Sequence, residues 1–124
     1  MARILVAEDD NAVQSFVSRA LVHRGHEVTA VDDGAKALEA LGQDHFDLLI
    51  TDIVMPGLDG IGLAMRVTQE FPGVSVLLMT GYSEELKRAN GMESLICTVI
   101  TKPFTLKQIC DAAEVAITDE MTRH

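Results

Sequence analysis

The sequence predicts an α/β protein: one doubly wound domain with five parallel strands and five helices covering both faces of the sheet. Short apolar runs alternate with amphipathic stretches, which gives five βα units in 124 residues. Right-handed crossovers place the loops that follow the strands on one edge. Four of the apolar runs end at that edge in polar residues of different kinds.

Ile4 to Ala7 is the first strand. Val13, Phe16, Val17, Ala20 and Leu21 then repeat at helical spacing; Asp10 or Asn11 can cap that helix and Gly25 can end it. Glu27 to Val31 is a second, less apolar strand. Ala37, Leu38 and Leu41 mark a short helix closed by Gly42, and Asp47 to Thr51 is the third strand. Met55-Pro56-Gly57-Leu58-Asp59-Gly60 is a loop by composition. Ala64, Val67 and Phe71 follow at helical spacing, and Pro72-Gly73 stops that helix. Val74 to Met79 is the fourth strand. Ser83 is the candidate cap of a helix holding Leu86 and Ala89, which Asn90-Gly91 ends. This is the weakest helix, and the stretch Ser83 to Met92, poor in core anchors, is the candidate mobile element. Ile96 to Ile100 is the fifth strand. Thr105 and Gln108 form a capping box, and Leu106, Ile109, Cys110, Ala113 and Ile117 make the inner face of the fifth helix. A short tail is expected from about Asp119, with no linker, internal repeat or attached output domain.

Hydrophobic residues make up 48% of the chain, which argues against disorder. There is no Trp and one Tyr, so the core must rest on Val, Leu, Ile, Ala and Met. A formal net charge of −9 argues against nucleic acid and anionic membrane as direct partners, because both repel an acidic surface. Cys97 and Cys110 lack metal-ligand spacing and read as reduced thiols, one on a strand and one on a helix; a disulfide or a catalytic thiol is the alternative. Arg3 precedes only a short apolar run before the acids, too short for a signal peptide. No apolar run approaches the ~18 residues of a membrane span, and a cytoplasmic location is expected.

The edge residues carry the chemistry. Glu8, Asp9 and Asp10 follow Ile4-Leu5-Val6-Ala7, and Asp52 follows Leu48-Leu49-Ile50-Thr51. Thr80 follows Val76-Leu77-Leu78-Met79, and Lys102, before Pro103, follows Ile96 to Thr101. Together these are acids for a metal, one carboxylate to react, one hydroxyl and one ammonium: the parts that accept and hold a phosphoryl group. Clustered carboxylates are costly unless a cation neutralises them, and hard oxygen ligands favour Mg²⁺. Asp9 and Asp52 are assigned as direct ligands, Glu8 as acting through water and Asp10 as the helix cap. A solvated acidic turn with a cap is the plain alternative. Asp52 can attack phosphorus, since carboxylates form acyl phosphates. Lys102 would pair with one phosphoryl oxygen and Thr80 donate its hydroxyl to another. Taken singly, Thr80 is a β-former at a strand end and Lys102 a solvated charge; it is their order and spacing together that favour phosphoryl chemistry.

The combination resembles the receiver domains of two-component response regulators. The matching pieces are Ile4-Leu5-Val6-Ala7-Glu8-Asp9-Asp10, Thr51-Asp52-Ile53-Val54-Met55-Pro56-Gly57-Leu58-Asp59-Gly60, Leu78-Met79-Thr80-Gly81 and Lys102-Pro103-Phe104. The resemblance implies a flavodoxin-like sheet of order 2-1-3-4-5. It implies phosphorylation of Asp52 by a histidine kinase or histidine phosphotransferase. It implies Mg²⁺ at Glu8, Asp9, Asp52 and the backbone carbonyl of Val54, with Thr80 and Lys102 on the phosphoryl group. It implies a cis peptide before Pro103, a monomer or weak homodimer, and no catalysis beyond the protein's own phosphorylation and dephosphorylation. Many receivers carry Tyr or Phe three residues before the lysine, where Val99 stands here. Tyr82 is the alternative reporter of the switch, or else an aromatic packing at the rim.

Ala7-Glu8-Asp9-Asp10, Thr51-Asp52-Ile53-Val54-Met55-Pro56 and Leu78-Met79-Thr80-Gly81-Tyr82 are similar to the CpdR-type cell-cycle regulators of alphaproteobacteria. That resemblance implies phosphate delivered by a histidine phosphotransferase, and an unphosphorylated form that helps the ClpXP protease engage its substrates. A phosphorelay intermediate, a phosphate sink and a chemotaxis-type regulator are the alternatives. A small aspartyl-phosphate phosphatase is disfavoured, because Val54 stands where a second acid would be needed and no cap domain is present. A purely structural pseudo-receiver is weak, because every reactive residue is there.

Overall fold

A computed structural model describes residues 1–81 and 97–122. They form β1 (Arg3–Ala7), α1 (Asn11–His23), β2 (Glu27–Val31), α2 (Gly34–Gln43), β3 (Leu48–Asp52), α3 (Gly60–Glu70), β4 (Ser75–Thr80), β5 (Cys97–Thr101) and α4 (Leu106–Thr122). The helix expected after Ser83, the mobile stretch to Met92 and Tyr82 lie outside the described residues. All neighbouring strands pair in parallel, in the order β2-β1-β3-β4-β5.

Strand composition follows position. β3 and β4 are buried along their whole length, with helices on both faces, and their sequences are almost unbroken apolar runs. β2 lies at an edge, and its Glu27, Thr29 and Ala30 are exposed. Alternate residues of the central strands enter two separate cores. Ile4, Val6, Leu48, Ile50, Leu77 and Met79 pack with α1 and α4. Leu5, Ala7, Leu49, Val76 and Leu78 pack with α2 and α3 on the other face.

The helices start where side chains satisfy free amides. Asp10 Oδ1 accepts from the backbone N–H groups of Ala12 and Val13. Asp33 caps α2 through Lys36 N, and Asp59 caps α3 through Gly62 N. The capping box before α4 is reciprocal: Thr105 N donates to Gln108 Oε1, and Gln108 N to Thr105 Oγ1. Gly25, at φ +92°, takes the left-handed turn that ends α1.

Three local expectations change. Phe16 is 42% exposed. The buried arc of α1 is Val17, Ala20 and Leu21, and Phe16 lies beside that arc, where its ring meets Phe104 at 6.3 Å between centroids. Leu106, the first residue of α4, is likewise 42% exposed. The helix itself runs on to Thr122, past the expected start of a tail at Asp119. Cys110 is a buried free thiol whose Sγ donates to Ala20 O, and burial pushes its pKa up. It is a core residue in this environment, not a reactive one.

Candidate functional site

The strand register places the predicted residues at one edge. Thr51 pairs with Ala7 and Leu78, Asp52 with Met79, and Thr80 with Thr101. Glu8 and Asp9 leave β1, Asp52 closes β3, Thr80 closes β4 and Lys102 follows β5. Glu8, Asp9, Asp52 and Lys102 meet at an open cleft of about 560 Å³, which Asp10, Val54, Gly81 and Pro103 also line; Thr80 is buried beneath that edge.

Three carboxylates converge there. Oxygen atoms of Glu8, Asp9 and Asp52 lie within 4.8 Å of one another. Glu8 is only 1% exposed and Asp52 is also buried, whereas Asp9 is exposed. Asp10 is engaged in capping α1. Lys102 Nζ is shared between two of the acids, 3.2 Å from Asp52 Oδ1 and 3.3 Å from Glu8 Oε1. Ile53 N donates to the same Asp52 oxygen at 3.0 Å, and Asp10 N donates to Glu8 Oε2 at 3.2 Å.

Burial lifts the Glu8 pKa to about 7; the Asp10 N–H and the Lys102 ammonium oppose that rise, and the Asp52 charge adds to it. For Lys102, burial acts against the charge but the carboxylates of Asp52 and Glu8 outweigh it, so its pKa is raised. The lysine therefore stays cationic, and the cost of burying two carboxylates beside one cation appears at Glu8, which holds its proton to higher pH. The Thr80 hydroxyl is buried and has no hydrogen-bond partner among the described residues. Hard oxygen donors, two buried carboxylates that share one cation and a hydroxyl with no partner among the described residues fit a divalent cation with an oxyanion beside it.

A family model, the response regulator receiver domain, matches residues 4–114. The chain belongs to that family. The response regulator receiver protein CpdR of Brucella abortus is 40% identical over 92% of this chain and 95% of its own length. The receiver domain of NtrX from Brucella abortus superposes with a TM-score of 0.85 at 26% identity, covering 93% of this chain and 98% of that one. A response regulator receiver domain protein from Clostridium thermocellum shares the fold, at a TM-score of 0.88 and 23% identity over the whole of both chains.

The protein is thus a receiver, a phosphoacceptor in two-component signalling, of a family that works with histidine kinases or phosphotransferases. Receiver domains bind Mg²⁺ in an acidic pocket, and the cluster of Glu8, Asp9 and Asp52 has that character. The Lys102–Pro103 peptide is cis, as the resemblance implies. Val99 packs against the core on the α2–α3 face, at the position where many receivers carry an aromatic. Among the described residues, no helix is long and apolar enough to cross a membrane.

Two features of this receiver escape the sequence. Gln14 Nε2 binds two backbone carbonyls behind the acidic turn, and a solitary Gln on a helix carries no signal for that. An apolar groove of about 420 Å³ adjoins the cleft, lined by Ala12, Val13, Phe16, Pro103 and Phe104 beside Lys102. Phe16 is in step with the apolar repeat of α1, so periodicity assigns it to the core and not to a groove.

Proposed function

We propose that Asp52 accepts a phosphoryl group from a phosphohistidine in a Mg²⁺-dependent reaction, and that the phosphorylated receiver then changes its protein contacts. The observation that carries this reading is the Lys102 ammonium, 3.2 Å from Asp52 Oδ1, beside three converging carboxylates. A carboxylate oxygen of Asp52 attacks phosphorus, the P–N bond to the donor imidazole breaks, and the imidazole departs with the electron pair. Lys102 moves its charge from the carboxylates to a phosphoryl oxygen. The Thr80 hydroxyl, which has no partner among the described residues, donates to another oxygen and reports the change through β4. Glu8, Asp9, Asp52 and the backbone carbonyl of Val54 would hold a Mg²⁺, which would neutralise charge on the transferring group.

The output is a contact whose affinity differs between the two states. Similarity to CpdR along nearly its whole length supports control of ClpXP-dependent proteolysis in the cell cycle, in the cytoplasm. The net charge of −9 favours protein over nucleic acid as partner. The apolar groove beside Lys102 supports docking of a protein donor, either a kinase or a phosphotransferase.

Mass measurement after incubation with acetyl phosphate and Mg²⁺ tests the chemistry: one phosphoryl group is expected on the native chain and none on Asp52→Asn. Labelling that survives Asp52→Asn would refute the acceptor assignment. Capture from source-cell lysate, with and without beryllofluoride and Mg²⁺, tests the output. The ClpX unfoldase is expected only without the mimic; its capture in both states, or in neither, would refute the protease role.

A further inference from the structure

The acidic turn after β1 carries two of the three clustered carboxylates, and the sheet holds its main chain weakly. Pairing of β1 with both of its neighbours ends at Ala7, opposite Val31 and Thr51. One further ladder-like bond follows, Glu8 N donating to Val31 O at 3.1 Å. Among the described residues, the carbonyl of Glu8 has no strand partner.

Gln14 supplies one. It lies in the second turn of α1, half-buried, with its amide reaching back over the turn. Nε2 donates to Glu8 O at 2.9 Å and to Val31 O at 3.0 Å. Two carbonyl acceptors fix the amide orientation, because only the NH₂ group can serve both. One side chain thus ties together α1, the end of β2 and the residue that begins the acidic turn. The Glu8 carboxylate is held separately, by Asp10 N and Lys102 Nζ.

Asp52 needs no such help, since it is the last residue of a fully buried strand. The geometry of the three acids therefore depends on how firmly the turn is fixed relative to β3. If both donors of Gln14 are removed, the Glu8 carbonyl loses its partner and the turn is free to shift, carrying Glu8 and Asp9 with it.

We infer that Gln14 is a positioning residue: through the Glu8 carbonyl it sets the placement of the Glu8 and Asp9 carboxylates against Asp52, and so the affinity of the site for a divalent cation. This rests on the proposed Mg²⁺ site.

Calorimetric titration of the unphosphorylated protein with Mg²⁺, with thermal unfolding followed in the absence of metal, tests the inference. Gln14→Met keeps the chain length and removes both donors. The Mg²⁺ dissociation constant is expected to rise about tenfold, the lower end of what residues supporting metal ligands contribute. Gln14→Arg, which restores a forked donor, is expected to recover the affinity. Native affinity in Gln14→Met, whatever happens to the Tm, would reduce Gln14 to fold support and overturn the inference. A loss that Gln14→Arg fails to recover would overturn it too. Gln14→Leu is used if Gln14→Met does not fold. Asp9→Ala separates this failure from failure of the site. A native chain with no Mg²⁺ affinity, or one unaffected by Asp9→Ala, overturns the metal site itself. An affinity that needs Asp9 but ignores Gln14→Met overturns only the role of Gln14.

Discussion

Lys102 reaches Asp52 across the end of an intervening strand. β5 and β3 are separated by β4, yet Nζ stands 3.2 Å from Asp52 Oδ1 while the Lys102 backbone N–H donates to Thr80 O at 2.7 Å. The backbone is anchored to one strand and the ammonium is delivered to the next. One cation is thereby divided between Asp52 and Glu8, and a third oxyanion arriving at the cleft competes for it.

Lys102→Ala should leave the fold intact and slow phosphorylation from acetyl phosphate by about 100-fold, the scale of losing one preorganised charge in a transition state. Rapid-quench labelling at saturating Mg²⁺ measures it. A native rate would make Lys102 a counter-ion for the resting acids and nothing more.

Glu8 gives the metal-free protein an unusual pH dependence. Its pKa rises from 4.5 to about 7, first through burial and then through the charge of Asp52. The folded state thus keeps a proton that the unfolded chain has already released. The contribution of Glu8 to stability is complete below pH 4.5 and is lost as pH rises to about 7, the reverse of a salt-bridged surface acid. The loss is on the order of 3 kcal/mol. Urea midpoints on either side of that window should show it, and Glu8→Gln should flatten the profile. Mg²⁺, which competes with the proton, should stabilise the protein more on the alkaline side. A profile that Glu8→Gln leaves unchanged would assign the effect elsewhere.

Thr80→Val should separate stability from signalling. The hydroxyl it removes is buried without a partner among the described residues, so urea unfolding should show no loss and a gain of up to about 1 kcal/mol. The difference in partner affinity between the resting and beryllofluoride-treated forms should collapse. A variant that is less stable and still switches would place the Thr80 hydroxyl in a bond of the resting state.

Gly60→Ala should be severe for so small a change. A β-carbon at Gly60 would overlap the carbonyl oxygen of Asp52 and press on Ile53. Gly60 N also donates to Ile53 O at 2.8 Å, so the two segments have little room to part. A destabilisation of about 2–3 kcal/mol is expected, with slowed phosphorylation because the displaced group carries the acceptor. Chemical denaturation gives the first quantity and acetyl phosphate labelling the second.

What the chain shows on its face and what it hides divide along physical lines. Buried parallel strands need apolar runs, so Leu48 to Thr51 and Val76 to Met79 announce themselves, and the polar residue after each marks the edge. Two caps are equally visible, because Asp10 and Thr105 sit just before a helical repeat, whereas Asp33 and Asp59 cap their helices from stretches that read only as loop. Phe16 and Leu106 were misplaced, because hydrophobicity reports size and apolarity but not the angular position that decides which residue faces the sheet. The sequence assigns Glu8 to act on a metal through water and gives no sign of how deeply it is buried. Its contact with Lys102 comes from a residue 94 positions away, which no local window contains. Gln14 was invisible for the same reason: its partners are backbone atoms, and backbone atoms have no letter.

The two cores give the central strands an odd energetic grammar. Leu49 and Ile50 are consecutive but belong to opposite sides of the sheet, whereas Ile50 and Leu77 are 27 positions apart, pair in register and share one side. Substitutions at Leu49 and Ile50 should therefore add almost independently, and those at Ile50 and Leu77 should not. Adjacency along the polymer is here a poor guide to mutual dependence. A lineage of this protein could redesign the packing beneath α2 and α3 while leaving that beneath α1 and α4 untouched, provided the edge that both cores hold up keeps its shape.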